Sequence, residues 1–72
     1  MPMKVEISDG KFLTELVDAL AHSGCRANRM TRSACEVVHP LATSDNEAFL
    51  EVAFFVRAWQ LHHPGVGATV TP

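Results

Sequence analysis

The hydrophobic positions of residues 44–63 wind around a helix in two stripes rather than one. At about 100° per residue, Ala48, Phe49, Val52, Phe55, Val56 and Trp59 gather on one side. Leu50, Phe54 and Leu61 gather on nearly the opposite side, with Arg57 among them. One stripe is enough to build a core. In a chain of 72 residues there is little interior left to cover a second, so Leu50, Phe54, Arg57 and Leu61 are expected to form an interface with another protein surface. Ser44-x-x-Glu47 has the form of a capping box that opens this helix, and Pro64-Gly65 closes it after His63.

The rest of the chain supplies simpler patterns. Lys4-Val5-Glu6-Ile7 alternates polar and apolar residues, as a half-buried strand does. Ser8-Asp9-Gly10 then offers an N-cap, and Phe12, Leu13, Leu16, Val17 and Leu20 repeat at helical spacing as far as Gly24. At the far end, Val66, Ala68 and Val70 alternate with Gly67, Thr69 and Thr71, a second strand signal.

Residues 25–39 fit two readings. Ala27, Met30, Ala34 and Val37 match a helical spacing, which would give a three-helix core with a basic second helix. Two terminal strands, however, need a sheet to join. A hairpin of 25–30 and 34–39 about Thr31-Arg32-Ser33 supplies one, with Cys25, Ala27, Cys35 and Val37 on one face and Arg26, Asn28 and Glu36 on the other. The order strand, helix, strand, strand, helix, strand then predicts a single α+β domain over 1–72: a four-stranded antiparallel sheet with two helices on one face, the split βαβ or ferredoxin-like arrangement. Trp59, Phe55, Phe49 and Phe12 are expected to form its aromatic core.

Composition narrows the function classes. With 47% hydrophobic and 19% charged residues the chain is globular rather than disordered. A net charge of −2 gives no general attraction to nucleic acid or anionic lipid. Arg26, Arg29 and Arg32 form a local basic cluster, but no aromatic residue lies between them to stack on bases, so nucleic-acid binding is a minor alternative. The start Met1-Pro2-Met3-Lys4 is not a signal sequence, and 48–59 is too short and too charged to span a bilayer, so a cytoplasmic protein is expected. Two cysteines, Cys25 and Cys35, are too few for a disulfide framework and lie too far apart along the hairpin to pair, so both are expected as free thiols.

Candidate chemistry is sparse. The hairpin reading brings His22, Cys25 and His39 to one end of the domain, a grouping that could ligate a metal or a small ligand, or activate a thiolate. No short-spaced set of four ligands accompanies them, and a small buried cysteine beside solvated histidines accounts for the pattern. His62-His63 fits the last turn of a helix, where the dipole favours a cation. No phosphate-binding glycine loop, nucleophile elbow or paired carboxylates occur, so neither enzymatic activity nor a cofactor is expected. The sequence is read as a small interaction module that self-associates as a homodimer, or docks on a larger protein, through its second helix.

Overall fold

The computed structural model describes residues 2–72. Strand β1 (Met3–Ile7) leads through one 3₁₀ turn (Gly10–Phe12) into helix α1 (Leu13–His22). The hairpin β2 (Arg26–Arg29) and β3 (Ala34–Val38) follows, then helix α2 (Asp45–Leu61) and strand β4 (Ala68–Thr71). The sheet is antiparallel throughout, in the order β2-β3-β1-β4. Residues 25–38 are therefore a hairpin, and the all-helical alternative for this segment is corrected. Helical packing would have left β1 and β4 as a bare two-stranded ribbon; inserting β3 next to β1 satisfies its other edge.

Local signals set the element ends. Asp9 caps the 3₁₀ turn by accepting a hydrogen bond from the Lys11 N–H at 3.1 Å. α1 stops at Gly24, whose φ of +99° is the left-handed conformation a side chain resists. At the start of α2 the Ser44 hydroxyl accepts from the Glu47 N–H at 3.1 Å, as a capping box requires. The reciprocal half is displaced by one residue: Glu47 accepts from the Thr43 hydroxyl at 2.6 Å and from the Thr43 N–H at 3.4 Å. Those hydrogen bonds hold the Glu47 carboxyl below its ordinary pKa, so it stays ionised at the helix N-terminus.

Both helices share one core with the same sheet face. Met3, Val5, Ile7, Cys35 and Val37 point into it, meeting Leu13, Leu16 and Leu20 of α1 and Ala48, Val52, Val56 and Trp59 of α2. The opposite face exposes Lys4, Glu6, Arg26 and Asn28. The expected aromatic core needs correction. Trp59 is buried, but Phe12, Phe49 and Phe55 are only partly so, and the largest fully enclosed side chains are those of Leu and Val, with Cys35 among them. A layer one sheet and two helices thick is filled by compact aliphatic side chains, which leaves the phenylalanine rings on its perimeter. Among the described residues no helix is long and apolar enough to cross a membrane.

Candidate functional site

Because Val52, Val56 and Trp59 hold α2 against the sheet, the other side of the helix faces outward. Leu50, Phe54 and Leu61 are respectively 47%, 72% and 79% exposed. Leu50, Ala53, Phe54 and Arg57 line a shallow depression. Ala53 and Arg57 also border a groove of about 580 Å³ that runs between α2 and the edge strand β4, with Gln60, Leu61, Ala68 and Val70 along it. The stripe and the groove are thus one continuous surface. The preceding loop does not fold over it, since Leu41 is itself 81% exposed.

Charge is distributed unevenly along this surface. Glu47 lies on the stripe seven residues before Phe54, and Arg57 lies three residues after it.

The His22, Cys25 and His39 grouping is met only in part. Cys25 and His39 line one small pocket of about 150 Å³, with Ser23, Glu51, Val52 and Phe55. His22 turns away from it; its Nδ1 lies 2.8 Å from the Asp18 carbonyl within α1. His39 instead pairs with Glu51, Nε2 to Oε2 at 2.7 Å, and its Nδ1 is buried without a hydrogen-bond partner. The Cys25 sulfur lies 3.7 Å from the Ser23 hydroxyl. Among the described residues no group of three or more His, Cys, Asp or Glu side chains is arranged to hold a metal ion. Glu51 was not legible as the partner of His39, because the turn between β3 and α2 decides which helical carboxylate reaches it.

The three arginines do not form a platform either. Arg26 is exposed on the open sheet face, whereas Arg29 Nη2 donates to the Thr14 hydroxyl of α1 at 2.6 Å, tying the hairpin edge to the helix. The open face carries no aromatic residue among the described positions of the four strands.

His63 is the residue that sequence reasoning misplaced. α2 ends at Leu61, and the His63 ring folds back to stack on Trp59, centroids 4.0 Å apart and 18° between planes, with Phe12 edge-on at 5.4 Å. Its Nδ1 is 2.9 Å from the Trp59 carbonyl and its Nε2 is 2.6 Å from a Glu15 carboxylate oxygen. Both neighbours offer acceptor oxygens, so the doubly protonated imidazolium is the form that satisfies both at once. The Trp59 carbonyl and then Glu15 raise the His63 pKa against the opposing effect of its burial. The side chain is 15% exposed, as befits a structural contact between the helices rather than a solvated cap.

The chain matches no family model, no curated protein and no solved structure.

Proposed function

We propose that this chain is a small protein-interaction module that pairs with a second copy of itself through the outer flank of α2. The exposure of Leu50, Phe54 and Leu61 on one contiguous surface carries this reading. Such patches on small proteins mark contact surfaces. The occupant is a second copy because the stripe complements itself: a two-fold axis sets the α2 helices antiparallel and brings the ionised Glu47 of each toward the Arg57 of the other. The frame for this surface is proposed to be the ferredoxin-like one, supported by the order β2-β3-β1-β4, which read from the other edge is the 4-1-3-2 of a split βαβ sheet.

Magnitudes set what the helices contribute. Burying a large apolar side chain is worth about 1.5–3 kcal/mol, so three of them are of the same order as the roughly 4–15 kcal/mol lost on association. The helical stripe alone is therefore marginal for a micromolar dimer, and adjoining surface has to share the contact.

Light scattering across a concentration series tests the reading. The chain is expected to be dimeric at micromolar concentration, and Phe54→Asp is expected to give a folded monomer, since Phe54 makes little contact with its own domain. A wild-type chain that stays monomeric at high concentration would overturn the proposal.

A further inference from the structure

The two edges of the sheet are built differently. β2 (Arg26–Arg29) exposes two arginines, the kind of charge that keeps an edge strand from pairing with another chain. β4 (Ala68–Thr71) has none: residues 66–71 read Val-Gly-Ala-Thr-Val-Thr, uncharged, without proline and rich in β-branched residues that suit strand pairing. Among the described residues, β4 pairs only with β1, so its other side is an open row of backbone donors and acceptors.

We propose that the outer edge of β4 pairs antiparallel with the same edge of a second copy, extending the sheet across a two-fold axis to eight strands. This inference rests on the reading that the chain self-associates, and it specifies how.

The backbone selects the register. The Gly67 carbonyl accepts from the Ser8 N–H at 2.8 Å and the Gly67 N–H donates to the Ser8 hydroxyl at 2.8 Å, so the polar groups of Gly67 point toward β1. Alternation along an antiparallel strand then turns those of Thr69 and Thr71 inward as well, and those of Ala68 and Val70 outward. Two β4 strands meet these outward groups when Ala68 of each copy lies opposite Val70 of the other. Thr69 then faces its own copy on the axis, in a non-hydrogen-bonded position. Ala68 and Val70 stay on the helix side in both copies, as a continuous sheet requires. A two-residue shift one way would set Ala68 against Pro72, which has no N–H to give, and the other way would set Val70 against Val66, whose N–H and carbonyl are already bonded to the His63 carbonyl and Gln60 Nε2.

The same pairing brings the helical stripes together. Ala53, Arg57 and Leu61 of α2 line the groove that the helix shares with β4. Joining two β4 strands at a spacing of about 4.8 Å then sets the two grooves, and the α2 flanks beside them, on the same side of the seam. A two-fold axis perpendicular to the sheet makes those helices antiparallel, the orientation that Glu47 and Arg57 favour. Strand edge and helix flank become one interface.

Oxidative cross-linking tests this. In a Cys25→Ser background, which leaves only the buried Cys35, Thr69→Cys places two thiols across a non-hydrogen-bonded pair, whose Cα separation of about 4.5 Å lies within the disulfide range. The expected result is conversion to a disulfide-linked dimer with unchanged circular dichroism, while Asn28→Cys on the guarded β2 edge stays uncross-linked. If both variants cross-link alike, collision explains the bond and the inference is overturned. If Thr69→Cys does not cross-link while the wild-type chain is dimeric and Phe54→Asp is monomeric, the β4 pairing is wrong and the helical interface stands. A monomeric wild-type chain removes both.

Discussion

His63, just beyond the end of α2, and Glu15 of α1 are 48 residues apart in sequence, yet His63 Nε2 lies 2.6 Å from the Glu15 carboxylate. With the Trp59 carbonyl on the other ring nitrogen, the contact is at full strength only while His63 carries its second proton, because a neutral ring can donate to one of the two oxygens and not both. The surrounding groups are Glu15 from α1, the Phe12 ring and Trp59 itself, with the Lys11 ammonium over the Phe12 ring at 5.2 Å from its centroid.

Stability should therefore depend on pH in a defined direction. The His63 pKa is raised in the folded chain above the ordinary 6.5, so its contribution is complete below that value and is lost as pH rises through the folded-state pKa. Melting temperatures of the wild type and His63→Gln, compared from mildly acidic to alkaline pH, should show a gap that is largest at the acidic end and narrows above neutrality. Glu15→Gln should shrink the same gap. A gap independent of pH would mean that His63 packs as a neutral ring.

Trp59 is 7% exposed and its indole Nε1 is buried without a hydrogen-bond partner. Trp59→Ala removes a large core side chain and the ring under His63, and should cost about 3–5 kcal/mol. Trp59→Phe keeps a ring while removing the unpaired N–H, so its cost should stay under about 1.5 kcal/mol. Urea unfolding measures both. Equal losses would show that the core at this position requires the whole indole and not merely a ring.

The thiols should differ sharply. Cys35 is fully enclosed and burial raises its pKa, whereas Cys25 is half-exposed at the start of the hairpin. The register sets Arg29, not Cys25, opposite Cys35, so no disulfide can close between them without unravelling the pair. A thiol reagent should modify Cys25 alone in the native chain and both residues after denaturation. Rapid native modification of Cys35 would place β3 outside the core.

Gly10 opens the 3₁₀ turn where the β2–β3 loop crosses it. A Cβ added there would strike the Arg32 carbonyl oxygen, a backbone atom that can make room only if the loop itself shifts. Gly10→Ala should cost about 1–3 kcal/mol, visible as a lowered unfolding midpoint with an unchanged denaturant slope. An unchanged midpoint would show that the Arg32 loop yields at no cost.

Periodicity and punctuation were enough to read most of the frame. The alternation of Lys4 to Ile7, the capping residues Asp9 and Ser44, and the two-faced run from Ala48 to Leu61 are local patterns. Local backbone preferences make each of them recognisable as an element, although the strand forms only with its partners in the sheet. The exposure of Leu50, Phe54 and Leu61 was legible for the same reason, since a helix has only one side to bury in a small domain. What the sequence left open depends on contacts between distant segments. The choice of hairpin over helix at 25–38 turned on β1 needing a neighbour. The rim position of Phe12, Phe49 and Phe55 followed from how thin the core is. The pairing of His63 with Glu15 and of His39 with Glu51 followed from where α2 came to rest over the sheet. The contrast between an arginine-guarded β2 edge and an open β4 edge is written in the residues, but which strands lie at the edges is a property of the assembled sheet. Strand order is fixed by long-range hydrogen bonding and burial, and no local window of sequence contains either.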